Sequence, residues 1–223
     1  RETAHVLNSC YQQFPERSIH LLCVDEEVTA NKKVMVMFFD NHYFVGVDNG
    51  LFSLIYQERK DFELVLVDGV LTEDANTTRE IFVKIAGHLN RGGKMAVLGK
   101  KISEGKTLAL PKASITNNNK TIIGGVMYID HFGNAVTNIS KALFNEIGKG
   151  QPFEINLPQV RKGITKTLEH YGEAKTEGSS IAVFNSSNML EIAIYKPGGK
   201  YNNGAHTLLG LNIDDKITID FKG

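Results

Sequence analysis

The fold is decided around residues 34–47, which read VMVMFFDNHYFVGV. Val34–Phe39 is a continuous apolar run, and such runs are typical of strands that are buried on both faces. Asp40 and Asn41 form a turn signal, and residues 43–47 have the composition of a returning strand. The stretch therefore predicts a β-hairpin.

The residues before and after this hairpin predict further strands and helices. Residues 19–24 and 62–67 are further apolar runs of strand length. Residues 2–14 show helical spacing of their apolar side chains, and residues 78–89 form the clearest helix, with one apolar face. The order of helix, strand, hairpin, strand and helix predicts an α/β N-terminal domain, mainly a parallel sheet with helices.

The character of the sequence changes between residues 99 and 120. This segment is rich in lysine, has no clear period and ends in three consecutive asparagines. Further strand-like runs follow it at residues 121–129, 181–184, 190–195 and 217–221. We therefore expect residues 1–118 to form the α/β domain and residues 119–223 to form a small, β-rich C-terminal domain.

Charge and composition narrow the classes of function. The chain has 223 residues, and its 25 basic and 25 acidic residues give a net charge of zero. A nucleic acid or an anionic membrane as partner is therefore not expected. No apolar run approaches the roughly 18 residues of a transmembrane helix. A small ligand fits this composition better than a polyanion.

Cysteine and histidine usage gives no sign of a metal site. Cys10 and Cys23 have neither a disulfide framework nor metal-ligand spacing, so we expect two buried, reduced thiols and a cytoplasmic location. None of the seven histidines pairs with another at the spacing that a helix or hairpin site needs. We therefore predict that the protein holds no metal.

The most informative stretch for function is YIDHFGNAVTN, residues 128–138. Asp130, Phe132 and Asn134 lie within five residues, where a strand runs into a polar turn. Such a cluster can hold an amino acid, because a carboxylate binds the ammonium group, an amide binds the carboxylate and a ring covers the apolar part. An ordinary Asp/Asn-rich turn with a buried phenylalanine remains the alternative.

This stretch resembles the motif Ile-Asp-x-Phe-Gly-Asn-x-x-Thr-Asn of the S-adenosylmethionine (SAM) hydrolase family, whose members are related to fluorinase and chlorinase. Four further blocks resemble the family in the same order: residues 19–25, 44–51, 185–193 and 204–211. In the family these read as a strand ending in Val-Asp-Pro-Gly-Val-Gly, Phe-Val-Gly-Pro-Asp-Asn-Gly-Leu, Asn-Ser-x-x-x-Leu-Glu-Ile-Ala, and the segment whose backbone reads adenine. The resemblance covers nearly the whole chain.

The resemblance implies an α/β N-terminal domain followed by a small β-barrel-like C-terminal domain. It also implies a homotrimer in which each site combines the N-terminal domain of one subunit with the C-terminal domain of its neighbour. The family's ribose-binding Asp belongs to a first segment that is expected to be missing from this sequence. No cofactor is implied beyond SAM itself, which is the substrate.

The implied reaction is the attack of water or hydroxide on the 5′ carbon of the ribose, which yields adenosine and methionine. The family uses an Asp, an Arg seven residues later and a His before the next helix. Asp25 matches the Asp, Lys32 stands at the position of the Arg, and Thr77 stands at that of the His. Lysine keeps the charge but loses the planar fork of arginine. Threonine cannot titrate near neutral pH, and a role as helix N-cap explains it fully.

The substrate-binding residues are carried over in the same way. The resemblance implies that Asp130 and Asn134 hold the methionine end, and Phe132 belongs to the same motif. Tyr171 matches an aromatic residue that stacks on adenine, or it is a packed core ring. The remaining candidates are Ser186, as a hydroxyl near the methionine carboxylate or a turn serine, and Ala205, as a backbone contact to adenine or a helix start.

Other functions stay open at this point. The altered Lys32 and Thr77 positions allow a non-catalytic protein that binds SAM or adenosine. Halide transfer is less favoured, because the chain lacks the insertion that the known halogenases carry between the positions of Asp25 and Asn49. A non-enzymatic interaction domain is the remaining alternative, since fold alone does not determine function.

Overall fold

The chain divides into two units, Arg1–Leu110 and Pro111–Gly223, each with its own sheet and core. The computed structural model describes residues 2–56, 59–68, 75, 77–116, 118, 120–198 and 204–222. The expected boundary after residue 118 falls inside the second unit. The reason is that β6, Ser114–Thr116, pairs with β7, Thr121–Ile129, and so belongs to the second sheet.

The first unit contains one five-stranded sheet with helices on its two faces. Its elements are α1 (Glu2–Cys10), β1 (Ile19–Leu21), β2 (Val34–Phe39), β3 (His42–Val47), α2 (Leu51–Tyr56), β4 (Phe62–Val67), α3 (Thr78–Asn90) and β5 (Gly99–Ile102). The strand order is β1-β3-β2-β4-β5, which puts the predicted hairpin of β2 and β3 inside the sheet. The hairpin prediction is confirmed.

The prediction of a mainly parallel sheet is wrong. Among the described strands of this sheet, β1 and β3 run parallel, whereas the pairs β2–β3, β2–β4 and β4–β5 are antiparallel. The turn between β2 and β3 has positive φ at both Asp40 (51°) and Asn41 (62°), which is the backbone of a tight hairpin turn between antiparallel strands. The sheet is therefore mixed.

Helices on both faces explain why β2 has the apolar run that suggested a parallel strand. Met35 and Met37 pack in the core cluster that includes residues of α1 and α2. Val34 and Val36 pack in the cluster that includes α3. Since successive side chains of a strand point to opposite faces, both sets are buried and the run stays apolar in either strand direction.

The second unit is built around an eight-stranded sheet that curls into a half-barrel. Its elements are β6, β7, β8 (Ala135–Ser140), α4 (Lys141–Gly148), β9 (Phe153–Asn156), β10 (Thr167–Leu168), β11 (Ser180–Phe184), β12 (Met189–Ile194), α5 (Ala205–Leu209) and β13 (Lys216–Phe221). The strand order is β10-β11-β12-β8-β7-β13-β9, with β6 on β7. The unit's largest core cluster collects the inward residues of these strands.

Chain connectivity in the second unit brings motifs from distant parts of the sequence together. The YIDHFGNAVTN stretch spans the end of β7, the turn and most of β8, and β8 pairs with β12. In the described part of the chain, no helix is both long enough and apolar enough to cross a membrane.

Candidate functional site

Asp25 and Lys32 form an ion pair at the end of the segment that follows β1. Lys32 Nζ lies 2.7 Å from Asp25 Oδ1. A tight turn brings Lys32 back towards Asp25, because Thr29 and Lys32 exchange backbone hydrogen bonds of 3.0 and 3.2 Å. The Asp25 side chain is 63% exposed and that of Lys32 is 20% exposed. The carboxylate therefore faces solvent while the ammonium group supports it from the protein side.

A cavity of about 530 Å³ opens beside this ion pair. Its lining residues are Asp25, Glu26, Glu27, Thr77, Thr78 and Arg79. Asp25 and Thr77, which lie far apart in the sequence, thus share one cavity, and Lys32 adjoins it through Asp25. Among its described residues, the lining holds three carboxylates and one guanidinium group, and the Lys32 ammonium group adjoins it through Asp25. This excess of carboxylates favours a cationic ligand over an anionic one.

Glu26 and Arg79 form a second ion pair in the same lining, which the sequence analysis did not identify. Glu26 Oε1 accepts from Arg79 Nε at 2.8 Å and lies 2.7 Å from Arg79 Nη2. The hydrogen bond from Arg79 lowers the pKa of the Glu26 carboxyl group. The two residues are 53 positions apart, so no local pattern marks them as partners. The pair ties the segment after Asp25 to the first turn of α3.

Thr77 is the N-cap of α3. Its Oγ1 accepts a hydrogen bond of 3.2 Å from Glu80 N, and its backbone is extended, as expected for a capping residue. The hydroxyl group is thus engaged with the helix end at the edge of the cavity. This geometry accounts for a threonine at this position without any chemical role.

In the second unit, Asp130 organises the turn between β7 and β8. Its Oδ1 accepts from the backbone N–H of Phe132 and of Asn134, both at 2.8 Å. Its Oδ2 accepts from Asn134 Nδ2 at 3.0 Å. Gly133 has φ of 79°, the left-handed region that glycine adopts without strain. The Asp, Gly and Asn of the motif therefore hold each other in one conformation.

Phe132 projects from this turn with 71% of its surface exposed. The alternative of a turn with a buried phenylalanine is therefore wrong about the ring. Asn134, two residues further along the turn, is buried. An exposed ring beside buried polar groups is suited to cover the apolar part of a ligand.

Tyr171 joins this turn to two residues that the sequence analysis did not assign. Its hydroxyl group donates to Glu191 Oε1 and lies 3.5 Å from Asn134 Nδ2. Asn185 Nδ2 donates to Glu191 Oε2 at 3.3 Å. Tyr171 is 40% exposed, so it is not a fully packed core ring. Both missed residues lie inside the 185–193 block, whose resemblance was the signal that could have pointed to them.

Glu191 is a buried carboxyl group in this polar network, with 6% of its surface exposed. Burial raises its pKa above the ordinary value, and the charge of Asp130 acts in the same direction. The hydrogen bonds from Tyr171 and Asn185 oppose this shift. Burial also raises the pKa of Tyr171, followed by its bond to Glu191. The phenol therefore stays protonated and remains a donor.

The raised pKa of Glu191 predicts a pH-dependent stability. Between the ordinary glutamate pKa of about 4.3 and the raised pKa, the folded chain holds more protons than the unfolded chain, so stability from this group falls as pH rises. Glu191→Gln removes this dependence while keeping an acceptor for Tyr171. As pH rises through this window, we expect the urea midpoint of the variant to increase relative to that of the wild type. A constant difference across that range would contradict the assignment.

Ser186 and Ala205 lie beside this network in different ways. Ser186 is exposed in the turn between β11 and β12, where Asn185 Oδ1 accepts from two backbone N–H groups. Ala205 is the first residue of α5, and its methyl group is fully buried in the core. The next residue, His206, donates its backbone N–H to Gly133 O at 2.9 Å. The start of α5 therefore packs directly against the Asp130 turn.

The sequence also led to expectations about a metal site and about the two cysteines. Among the described residues, no group of three or more His, Cys, Asp or Glu side chains is arranged to hold a metal ion. Cys10 and Cys23 are free thiols. Cys23 is exposed and Cys10 is partly buried, so the expectation of two buried thiols is wrong. Cys23 follows the end of β1, where the chain leaves the sheet.

Comparison with protein families gives two matches that follow the two halves of the chain. Residues 1–99 match the SAM hydroxide adenosyltransferase N-terminal domain, and residues 124–218 match the SAM hydroxide adenosyltransferase C-terminal domain.

Curated relatives of this chain carry the name (R)-S-adenosyl-L-methionine hydrolase, and three of them illustrate the similarity. The protein from Methanocaldococcus jannaschii is 25% identical over 228 residues, which cover 97% of this chain and 76% of the relative. The protein from Thermus thermophilus is 29% identical over 210 residues, covering 87% and 74%. That from Salinispora tropica is 25% identical over 226 residues, covering 98% and 80%.

Solved structures share the fold. The crystal structure of an uncharacterized conserved protein from Thermotoga maritima aligns with a TM-score of 0.78 and 25% identity, covering 98% of this chain and 83% of that one. A conserved hypothetical protein from Thermus thermophilus aligns with a TM-score of 0.69 and 22% identity, covering 97% and 80%. The second likeness supports the fold alone.

Proposed function

Because this chain belongs to the SAM hydroxide adenosyltransferase family, we propose that it hydrolyses SAM to adenosine and L-methionine. The name of the curated relatives makes (R)-S-adenosyl-L-methionine the first substrate to test. The single observation that carries the proposal is the Asp25–Lys32 pair beside a cavity lined by three carboxylates. A cationic sulfonium ligand suits such a lining.

In the proposed reaction, water attacks the 5′ carbon of the ribose. The new carbon–oxygen bond forms as the carbon–sulfur bond breaks, and the electron pair stays on sulfur, which leaves as neutral methionine. Asp25 orients the water and accepts its proton. Lys32 fixes Asp25 Oδ1 at 2.7 Å and supplies positive charge next to the developing hydroxide. Its ammonium group acts as a point charge, without the planar fork of arginine.

The Asp130 turn is proposed to hold the methionine end. A carboxylate has about four acceptor positions, so Asp130 can bind an ammonium group beside its present partners. Asn134 would contact the methionine carboxylate, and the exposed Phe132 ring would cover the side chain. Tyr171 is proposed to stack on adenine, with Ser186 near the methionine carboxylate and the backbone of Ala205 near adenine.

Halide transfer is less well supported than hydrolysis. Fluoride and chloride are anions, and the described residues of the cavity carry three carboxylates against the Arg79 guanidinium group and the adjoining Lys32 ammonium group. This excess of negative charge disfavours entry of an anion relative to neutral water. Reactions run in concentrated chloride or fluoride are therefore expected to give adenosine and no halogenated nucleoside.

Assembly as a homotrimer and a cytoplasmic location remain predictions from the sequence. Light scattering of the purified protein in solution tests the assembly directly. A mass three times that of the chain supports the trimer. A monomeric mass in the presence of SAM contradicts it.

A second candidate function is binding of SAM or adenosine without turnover. It is favoured by one observation: Thr77 holds the helix N-cap at the position where the family has its histidine. The side chain has no proton to exchange near neutral pH. In this case the protein would act as a sensor of its ligand.

One experiment separates the two functions. Purified protein is incubated with (R)- and (S)-SAM, and adenosine and methionine are quantified against a control without enzyme. Equal amounts of both products support hydrolysis. Calorimetric binding without product over hours supports the sensor, and the absence of both binding and product contradicts both functions.

Thr77→Ala tests whether the threonine has a chemical role. Loss of the N-cap is expected to cost about 1 kcal/mol of stability. Turnover per folded molecule should stay unchanged, because Oγ1 is already engaged with Glu80 N. Melting temperature and SAM turnover are measured well below the transition, with Thr77→Ser as the variant that keeps the cap. Turnover lost in the alanine variant and retained in the serine variant would show that the hydroxyl takes part.

A further inference from the structure

The side chain of Asn49 connects two loops of the first unit. Its Nδ2 donates to the carbonyl oxygen of Val24 at 2.8 Å. Its Oδ1 accepts from the backbone N–H of Leu51 at 3.0 Å, at the start of α2. One amide group thus joins the segment after β1 to the turn after β3.

The carbonyl group that Asn49 holds belongs to the peptide between Val24 and Asp25. Asp25 has φ of 47°, in the left-handed region, which aspartate adopts more readily than most residues other than glycine. The contacts on each side of the residue determine whether it keeps this sparsely populated conformation. The hydrogen bond from Asn49 fixes the peptide group that precedes Asp25. The ion pair with Lys32 fixes the Asp25 side chain.

The turn that carries Asn49 is itself well anchored. Asp48 N donates to Lys33 O at 2.8 Å, and Asp48 Oδ1 accepts from Lys106 N at 2.6 Å. Gly50 has φ of 93°, and the side chain of Leu108 packs where a β-carbon would stand. A glycine is therefore required next to Asn49. The amide group of Asn49 is presented from a rigid base.

We propose that Asn49 is a positioning residue for Asp25. It acts through the Val24 carbonyl group, which holds Asp25 in the backbone conformation that directs its carboxylate to Lys32 and the cavity. This inference rests on the proposed function, in which Asp25 activates water. Asn49 makes no contact with the reacting atoms in this scheme.

Asn49→Asp is the informative variant. It keeps the acceptor for Leu51 N and replaces the donor to Val24 O with an oxygen that this carbonyl repels. We expect kcat for SAM hydrolysis to fall by about 10- to 100-fold, since small misplacements of a reacting group cost this much. KM should stay unchanged. In the Asp25→Asn background, Asn49→Asp should cause no further decrease in kcat, because the two residues act as one unit.

Asn8→Asp is the matched control. Asn8 Nδ2 donates to the Leu54 carbonyl oxygen at 3.0 Å, which joins α1 to α2 in the same unit. Removing this hydrogen bond tests general destabilisation and should leave kcat unchanged. An equal fall of kcat in both single variants, or additive decreases in the double variant, would overturn the positioning role.

A crystal structure of Asn49→Asp gives a readout that does not depend on activity. We expect the φ angle of Asp25 to leave the left-handed region and the ion pair between Asp25 and Lys32 to break. An unchanged Asp25 backbone would overturn the inference. If the wild type forms no adenosine while the variant shows this backbone change, the proposed function fails and the structural link stands.

Discussion

Replacing Asp25 with Asn is expected to lower kcat for SAM hydrolysis by at least about 100-fold, the usual contribution of a positioned general base. Asparagine has the same shape, adopts the left-handed backbone more readily than most residues, and can still accept a hydrogen bond from Lys32. It cannot accept a proton from water. The effect should therefore appear in kcat, while the fold and the affinity for SAM are retained.

Asp61→Asn is the control for this measurement. Asp61 is an exposed carboxylate of the same unit and is paired with Arg59, so the substitution makes the same change in charge away from the cavity. Its turnover should equal that of the wild type. Full turnover by the Asp25 variant, with product measured as adenosine and methionine together, would remove Asp25 from the mechanism.

Asp130→Asn is expected to weaken SAM binding by about 2 kcal/mol, or roughly 30-fold in Kd, as for the loss of a charged hydrogen bond. The amide oxygen can still accept from Phe132 N and Asn134 N, so the backbone of the turn should keep its shape, while the hydrogen bond from Asn134 Nδ2 to the second carboxylate oxygen is lost. The negative charge that is proposed to hold the ammonium group is removed. Isothermal calorimetry with SAM measures the change.

Adenosine and a second variant make this test specific. Adenosine has no ammonium group, so its affinity should not respond to Asp130→Asn. Asp215→Asn is the matched control, because Asp215 Oδ2 also accepts from a backbone N–H in a turn of the same unit, that of Asn212 at 2.7 Å. Equal weakening of SAM and adenosine would indicate a distorted turn. Unchanged SAM affinity would exclude Asp130 as the ammonium partner.

Some elements could be predicted from residues that are neighbours in the sequence. The β2–β3 hairpin follows from Asp40 and Asn41, because these residue types tolerate the positive φ that a tight hairpin turn needs. The start of α3 follows from Thr77 and Glu80, whose spacing is that of a helix cap. Each of these signals depends on atoms within a few residues of one another.

Residues that are close in sequence did not determine the direction of the strands. Val34–Phe39 is apolar on both faces, and burial on both faces was interpreted as a sign of a parallel sheet. Two helices on one face and α3 on the other give an antiparallel strand the same burial. The second unit begins earlier than expected for a related reason, since the pairing of β6 with β7 is a contact between strands.

The sequence by itself determined the hairpin, the helix cap, the β-rich second half and the family. Turn residues, hydrophobic periodicity and the order of the motifs along the chain are sufficient to predict these features. Only the tertiary structure decided that Glu26 meets Arg79 and that Tyr171 meets Glu191. It alone showed that Asn49 holds the carbonyl group before Asp25. These partners are far apart in the chain, and a hydrogen bond or ion pair depends on distances of a few ångströms that only the packed chain sets.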